Sequence, residues 1–198
     1  MKIAYKHLLK FLIDKPSIDD ISIKLFQLGH EHEIEDSIFN MEFTPNRGDC
    51  LSLLGLARDL NVFYETNLDL NIHNSKIADL DLNFSNNVDE KCTAISFLNI
   101  EIEDTVSNYK DYLEDYFTDL KLNKNNFFTD VSNYIAYEIG QPTHSYDFDS
   151  FSDSNISLTS TITENKFKTL LDRDIELDGT DMVFMNHNKI INLAGIIG

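Results

Sequence analysis

The sequence predicts an α+β fold in which a small N-terminal α+β domain is followed by a larger mixed α/β domain. Hydrophobic residues make up 42% of the 198 positions, which is enough for two cores. Segments with helical spacing and segments with strand-like alternation occur on both sides of residues 66–90. That stretch itself is rich in Asn, Asp and Ser, as connectors are. We therefore place the domains at residues 1–77 and 78–198.

The N-terminal domain opens with a short strand signal at residues 2–5, and Pro16 ends the apolar stretch that follows. Ser17 stands three positions before an acidic residue, as in a capping box, and so marks the start of a helix. Apolar residues then recur at helical spacing as far as Gly29, which supplies the stop signal. The pattern predicts a strand, a break and an amphipathic helix.

The rest of this domain is predicted as extended chain followed by a second helix. Residues 34–43 indicate extended chain with a turn near Asn40. Apolar side chains at helical spacing predict a helix over residues 49–64. Asp49 is expected near its start, where a carboxylate accepts hydrogen bonds from free N–H groups and suits the helix dipole.

The C-terminal domain is predicted to combine strands with two helices. One helix carries its apolar face from Tyr109 to Leu120, and a shorter one covers residues 130–139. Asn186 to Lys189 suit a hairpin turn. The predicted strands are residues 94–102, 156–162, 168–171, 182–185 and 190–193.

The charge balance disfavours tight binding of nucleic acid by this chain alone. There are 34 acidic and 16 basic residues, giving a formal net charge of −18. Residues 76–198 hold 22 of the acidic and only 9 of the basic side chains. Proteins that bind phosphates draw much of their affinity from a basic face. We therefore expect weak or absent binding of an RNA by the isolated chain.

Other compositional features exclude several classes of protein. No segment is long and apolar enough to cross a membrane, and the N-terminus lacks a secretory apolar core, so we expect a cytoplasmic protein with no membrane partner. Cys50 and Cys92 have no C-x-x-C spacing, and the histidines flanking Glu31 lack the spacing of a zinc protease. The sequence therefore predicts no metal site and no cofactor held by this chain.

The most informative segment is residues 133–147, which read NYIAYEIGQPTHSYD. Gly140 and Pro142 are the residues expected just past a helix end, and they place His144 on the following loop. This segment resembles the "TNY…GQP.H..D" stretch in the editing domain of bacterial phenylalanyl-tRNA synthetase β subunits.

Two further motifs follow the same family and occur in its order. Residues 43–60, FTPNRGDCLSLLGLARDL, are similar to the "TPNR.DCLS..G.AR" signature of the N-terminal domain of that subunit. Residues 192–198, NLAGIIG, are similar to its "LAG.MGG" loop. The resemblance thus covers nearly the whole chain. It implies an N-terminal domain followed by an editing-type domain that is incomplete at its C-terminus.

The resemblance implies a hydrolytic site that cleaves tyrosine from wrongly charged tRNA. His144 and Asn133 would line its cavity, and the Ala194-Gly195 backbone would form another wall with amide N–H groups available to an oxyanion. An acidic residue would recognise the tyrosine hydroxyl, Asp174 being the first choice and Glu176 the second. A positioned water suffices for an activated ester, so no general base is assigned.

Each of these residues also has a structural alternative. His144 could be a structural hydrogen-bond donor, and Asn133 could cap backbone groups. Ala194 and Gly195 could permit tight packing, and Asp174 could lie in an exposed turn beside Arg173. The "LDG.E" spacing of the family is irregular here, because Arg173 replaces its glycine. These alternatives stay open at the level of sequence.

Several departures from the family pattern affect the expected function. Only fourteen residues separate Gly29 from Thr44, too few for the tRNA-binding barrel that the family inserts there. The arginines that the family's editing domain carries in three regions are also missing. The resemblance implies a parent enzyme that uses ATP and Mg²⁺ and forms a heterotetramer with an α subunit.

Two hypotheses follow for this chain. In the first, it supports tRNA aminoacylation and hydrolyses mischarged tyrosyl-tRNA. In the second, it is a non-catalytic structural or assembly module in which editing has been lost. A freestanding interaction protein built on the same fold is a third option.

Overall fold

The structure is a computed structural model that describes residues 1–69, 78–103, 105–162, 166–169 and 172–196. The chain forms two compact units. The first consists of Met1–His73 with Asp104–Ser145, and the second of Asn74–Glu103 with Tyr146–Gly198. These units divide the chain differently from the predicted domains 1–77 and 78–198, because residues 104–145 belong to the first unit.

In its described residues, the first unit combines a three-stranded antiparallel sheet with five α-helices. In the sheet, β3 lies between β1 and β2, and Phe39 is paired with Ile3 on one side and Ile34 on the other. The elements are β1 (Lys2–Ala4), α1 (Tyr5–Leu8), α2 (Ile18–Gln27), β2 (Glu31–Glu35), β3 (Ile38–Glu42), a 3₁₀ turn (Gly48–Cys50), α3 (Leu53–Leu60), α4 (Asp111–Asp119) and α5 (Phe127–Ile139).

Side-chain caps fix where three of these helices begin. The Ser17 hydroxyl accepts a hydrogen bond from the Asp20 amide at 3.2 Å, which confirms the predicted start of α2. Ser52 accepts from the Gly55 amide at 3.0 Å and begins α3. Asn126 begins α5 in the same way. Each cap satisfies an N–H group that has no partner inside its helix.

The predicted helix over residues 49–64 is in fact two elements. A 3₁₀ turn ends at Cys50, and the α-helix runs only over Leu53–Leu60. Its cap is Ser52, so the expectation that Asp49 caps this helix is wrong. The Asp49 carboxylate instead forms ion pairs with Arg47 and Arg58. Gly55 allows this geometry, because a β-carbon there would lie 2.0 Å from the Asp49 carbonyl oxygen.

The core of the first unit forms where the helices meet the sheet. Apolar burial of this kind contributes roughly 25 cal/mol per Å² of apolar surface removed from water. Helices α4 and α5 contribute aromatic residues to the same core. Its buried members include Ile3, Leu8, Leu12, Ile21, Leu25, Phe39, Leu53, Leu56, Leu60, Leu113, Phe117, Tyr134 and Tyr137.

The second unit contains a four-stranded sheet and a separate hairpin. The sheet order is β4-β5-β8-β9; β4 and β5 are parallel, and the other neighbours are antiparallel. The elements are β4 (Asn83–Asn86), a 3₁₀ turn (Phe148–Ser150), β5 (Asn155–Thr159), β6 (Lys166–Lys168), β7 (Asp174–Glu176), β8 (Val183–Asn186) and β9 (Lys189–Leu193). A smaller core gathers Phe167, Leu177, Val183, Met185, Ile190 and Leu193.

Most of the strands predicted for this part of the chain are present, with shifted ends. Strands β5, β8 and β9 overlap the predictions for residues 156–162, 182–185 and 190–193. Strand β6 meets the prediction for residues 168–171 only at Lys168, and residues 170 and 171 lie outside the described part. The predicted strand over residues 94–102 is wrong. This segment is described throughout and has no regular secondary structure, because no strand among the described residues pairs with its backbone.

Among the described residues, every helix falls short of the length and apolar character that a membrane-spanning helix needs.

Candidate functional site

The loop that carries His144 begins at a well-defined helix end. Helix α5 stops at Ile139, and Gly140 adopts a left-handed conformation with a φ of 77°. Its amide donates to the Ala136 carbonyl at 3.0 Å. This confirms the predicted end of the helix at Gly140. His144 lies four residues further on, in an exposed loop.

Asn133 lies in the interior of α5, and its side chain is exposed. The cap of this helix is Asn126, so capping of α5 does not account for Asn133. Its neighbour Tyr134 is buried and donates a hydrogen bond to Glu138 at 2.6 Å. Asn133 therefore presents an exposed amide beside a buried tyrosine of the same helix.

The two acidic candidates lie on one face of the β6–β7 hairpin. Asp174 is paired with Lys168 and Glu176 with Lys166, while Ile175 between them packs against the smaller core. Because side chains alternate along a strand, both carboxylates point away from Ile175. Asp174 lies on the strand rather than in a turn. In the described part of the turn, Asp172 adopts a left-handed conformation and forms an ion pair with Lys168 at 2.7 Å.

The Ala194-Gly195 segment follows directly on β9. The Ala194 amide donates to the Met182 carbonyl at 2.9 Å, so this N–H group is already used within the fold. Gly195 has a φ of 75°, and a β-carbon there would meet no described atom within 4 Å. Glycine thus serves the backbone conformation, and no described atom crowds the position that a side chain would take. The Ala194 amide is therefore not available as the expected donor, and the role of the segment as a cavity wall stays a prediction.

The six candidate residues are divided between the two units. Asn133 and His144 belong to the first unit. Asp174, Glu176, Ala194 and Gly195 belong to the second. Their assembly into one cavity stays a prediction.

A buried histidine that the sequence did not single out links three helices of the first unit. His7 on α1 is 2% exposed; its Nδ1 lies 3.0 Å from the Tyr137 hydroxyl and its Nε2 lies 2.9 Å from Asp119. The Tyr137 oxygen also accepts from the Ala4 amide at 3.2 Å. A neutral imidazole accounts for this series of hydrogen bonds, since Nε2–H donates to Asp119 and Nδ1 accepts from Tyr137. Burial and then the Lys10 charge lower the pKa of His7, outweighing the attraction of Asp119.

A second group of polar side chains, the His–Cys–Asp cluster, consists of His30, Cys50 and Asp59. One potential ligand atom of each lies within 4.8 Å of the others. His30 Nε2 is 3.0 Å from Asp59 Oδ2, and Cys50 Sγ is 3.5 Å from the same oxygen. Arg47 donates to Asp59 and also to Cys50 Sγ, the latter at 2.8 Å. Sequence inspection missed this cluster because its members are widely spaced along the chain.

The electrostatics of the His–Cys–Asp cluster follow from burial and from Arg47. Burial alone would raise the pKa of Asp59, but hydrogen bonds from Arg47 and His30 hold that pKa below its ordinary value. Burial, followed by the Asp59 charge, raises the pKa of the Cys50 thiol to about 12. The thiol is therefore protonated at neutral pH and is a weak nucleophile.

In the second unit, a buried amide organises the loop before β5. Asn186 accepts hydrogen bonds from the Ser152 amide and hydroxyl, each at 2.9 Å. It donates to the carbonyls of Asp153 and Asn155, also at 2.9 Å. The adjoining depression of about 350 Å³ is open to solvent and includes the exposed His187. This network is satisfied within the protein and accounts for Asn186 as a structural residue.

Comparison with protein families agrees with the motif analysis. The B3/4 domain model matches residues 99–198, which is half of the chain and includes all six candidate residues. The chain therefore belongs to the B3/4 domain family.

Curated relatives specify the kind of protein that this chain resembles. It is 30% identical over 181 residues to the phenylalanine–tRNA ligase β subunit of Carboxydothermus hydrogenoformans, covering 84% of this chain and 21% of that protein. The β subunit of Psychrobacter arcticus is 28% identical over 173 residues, with 83% and 21% covered. That of Thermotoga maritima is 25% identical over 170 residues, with 85% and 21% covered. The chain thus spans about a fifth of the length of these relatives.

Proposed function

We propose that this chain acts as the N-terminal part of a phenylalanine–tRNA ligase β subunit and supports tRNA aminoacylation. The observation that carries the proposal is similarity to such subunits over 83–85% of the chain, with a B3/4 domain in its second half. The proposed parent enzyme is a cytoplasmic heterotetramer with an α subunit. It would use ATP and Mg²⁺ outside this chain to activate phenylalanine.

We further propose that the chain contributes hydrolysis of mischarged tyrosyl-tRNA. A pocket made for phenylalanine rejects an added hydroxyl group poorly, so a second site that reads this group is needed for accuracy. In this proposal His144 orients the attacking water or the terminal ribose, and Asn133 lines the cavity. Asp174 or Glu176 accepts a hydrogen bond from the tyrosine hydroxyl.

Several features of the described residues support these roles. The loop of His144 begins at the fixed left-handed Gly140, so its first residues start from a defined position. Asp174 and Glu176 share the exposed face of a hairpin whose other face is anchored by Ile175. No described atom lies within 4 Å of a β-carbon built on Gly195, which favours close approach of a ligand to the backbone.

The alternative function is a structural or assembly module in which editing has been lost. The net charge of −18 favours it, because a hydrolase acting on tRNA must hold a polyanion near its site. Engagement of the Ala194 amide by Met182 also removes one expected donor for an oxyanion. Under this alternative, the candidate residues only maintain the fold.

The test is deacylation by the full-length protein that contains this chain, assembled with its α subunit. Pre-formed tyrosyl-tRNA and phenylalanyl-tRNA are incubated with the enzyme, and the loss of each ester is followed. Editing predicts selective loss of the tyrosyl ester, and His144→Ala should slow it by roughly 10–100-fold. His187→Ala is the matched control, because this exposed histidine lies on another turn and should leave the rate unchanged.

Isosteric variants then distinguish the two carboxylates. If Asp174 reads the tyrosine hydroxyl, Asp174→Asn should lower tyrosyl-tRNA hydrolysis while Glu176→Gln leaves it intact; the reverse result would assign Glu176. Decay of both esters at the uncatalysed rate, with normal charging of phenylalanine, would refute editing and favour the structural module. Failure of the assembled enzyme to charge phenylalanine would contradict the broader proposal.

A further inference from the structure

The His–Cys–Asp cluster brings together three different donor atoms from three elements. His30 directly precedes β2, Cys50 ends the 3₁₀ turn, and Asp59 lies in the last turn of α3. His30 is 3% exposed and Cys50 is fully buried, whereas the Asp59 side chain retains 15% exposure. The cluster therefore has a closed side and one side that a small solute can reach.

The spacing of the donor atoms matches that of ligands around one small cation. His30 Nε2 and Asp59 Oδ2 are 3.0 Å apart, Cys50 Sγ and Asp59 Oδ2 3.5 Å, and Cys50 Sγ and His30 Nε2 3.9 Å. Tetrahedral zinc with ordinary bond lengths separates such ligand pairs by about 3.3–3.6 Å. Small side-chain movements would thus bring all three atoms onto a common ion.

The chemistry of the donors selects the class of metal. A thiolate and an imidazole prefer zinc or another thiophilic divalent ion, whereas Mg²⁺ and Ca²⁺ prefer oxygen ligands. Three protein ligands leave a fourth tetrahedral position for water. The thiol proton of Cys50 would pass to solvent when the sulfur binds the ion.

Two cations compete for this site: Arg47 is the nearer one, and Arg58 lies 3.7 Å from the other carboxylate oxygen of Asp59. Arg47 makes the more extensive contacts. Its guanidinium contacts both Cys50 Sγ and Asp59, and it also donates to the two carboxylate oxygens of Asp49, each at 3.1 Å. Arg47 can therefore leave Asp59 and Cys50 while keeping its ion pair with Asp49.

We propose that His30, Cys50 and Asp59 form a binding site for a thiophilic divalent cation such as Zn²⁺, which enters by displacing the Arg47 guanidinium onto Asp49. The site lies wholly within the first unit and is independent of the editing proposal. Metal binding would link β2, the 3₁₀ turn and α3 more tightly than the hydrogen bonds alone.

Cobalt spectroscopy of the purified 198-residue chain tests this proposal. One equivalent of Co²⁺ should produce the intense visible bands of tetrahedral cobalt and a near-ultraviolet thiolate-to-cobalt band. Added Zn²⁺ should then abolish both. Cys50→Ser should remove the thiolate band, and His30→Ala should weaken binding, whereas Cys92→Ser is the matched control and should leave the spectrum unchanged. Circular dichroism establishes that each variant is folded.

A gain-of-binding variant keeps the test independent of folding defects. Arg47→Gln removes the nearer competing positive charge, leaving Arg58 in place, and should strengthen Co²⁺ binding by about tenfold or more. Absence of a thiolate band in both the wild-type chain and Arg47→Gln would overturn the proposal. A band that persists in Cys50→Ser, or that disappears in Cys92→Ser, would also overturn it.

Discussion

At the scale of single residues, the buried imidazole of His7 is the clearest electrostatic feature of the first unit. Its two nitrogens connect Tyr137 on α5 with Asp119 at the end of α4. Protonation would place a hydrogen on Nδ1, which now accepts from the Tyr137 hydroxyl, and would leave that hydroxyl without its acceptor. The protein is thus built around the neutral form of His7.

This arrangement predicts a specific pH dependence of stability. The pKa of His7 is lowered in the folded state, so the unfolded chain binds more protons in the pH range just below the ordinary histidine value of about 6.5. The stabilisation is complete above that value and is lost as the pH falls toward the lowered pKa. Urea midpoints measured between pH 7 and pH 5 should therefore decrease more steeply for the wild-type chain than for His7→Gln.

The controls for this prediction separate the contribution of His7 to the pH dependence of stability from that of the many carboxylates. His7→Gln should itself lower the free energy of unfolding by about 1–3 kcal/mol at pH 7, because buried groups lose their hydrogen-bond partner. His187→Gln removes an exposed histidine and should keep the wild-type slope. Parallel slopes for the wild-type chain and His7→Gln would contradict the prediction.

The residues whose roles could be predicted from sequence are those that act on neighbouring positions of the chain. Ser17 and Gly140 act on backbone groups a few positions away, so their residue type and spacing sufficed. Asp49 was misassigned because Ser52 competes for the same function three residues later. The His–Cys–Asp cluster could not be foreseen, since His30 and Asp59 are 29 positions apart and meet only in the folded chain.

At the scale of secondary structure, the junction of α3 and α5 depends on Gly140. Its left-handed conformation ends α5, and a β-carbon at this position would lie 3.3 Å from both the Cβ and the Oγ of Ser52, the cap of α3. Gly140 thus joins two helix termini within the first unit. It also precedes the loop of His144.

Gly140→Ala is accordingly expected to lower the free energy of unfolding by about 1–2 kcal/mol, the cost of a left-handed conformation for a residue with a β-carbon. Gly140→Asn should lose less, because asparagine tolerates this conformation. Gly48→Ala is the matched control: Gly48 lies in the same unit, and its added β-carbon would meet nothing within 4 Å. Chemical denaturation measures all three, and equal losses for Gly48→Ala and Gly140→Ala would contradict the argument.

The wrongly predicted strand over residues 94–102 also has an explanation at the scale of secondary structure. Residues 94–102 alternate as strands do, but a strand exists only where a neighbour pairs with its backbone, and alternation says nothing about that neighbour. Strands β8 and β9 were predictable because a short turn brings them together directly. A partner that is adjacent in sequence thus supports a strand prediction in a way that alternation by itself does not.

At the scale of the whole molecule, the order of the three motifs along the chain indicated the family. The net charge was the main observation against a tRNA-binding role for the isolated chain. The three motifs pointed to the family before any contact was known, because they preserve residue types at fixed spacing. Motifs could not show which residues belong to each compact unit, since residues 104–145 join the first unit through contacts distant in sequence. Net charge, in contrast, is a property of the whole chain that sequence gives directly.

The net charge of −18 predicts that this chain does not hold tRNA by itself. Cationic side chains that release counterions supply much of the affinity for a phosphate backbone, and long-range repulsion from 34 acidic residues opposes the approach of a polyanion. Titration of fluorescently labelled tRNA with the isolated chain near physiological salt should give a Kd no tighter than about 10⁻⁴ M. The full-length protein with its α subunit is the positive control, since in the proposed function its remaining domains supply the tRNA contacts. Micromolar binding by the isolated chain that weakens steeply with salt would show that its few basic residues form a phosphate-binding surface, and would remove the main argument for the structural module.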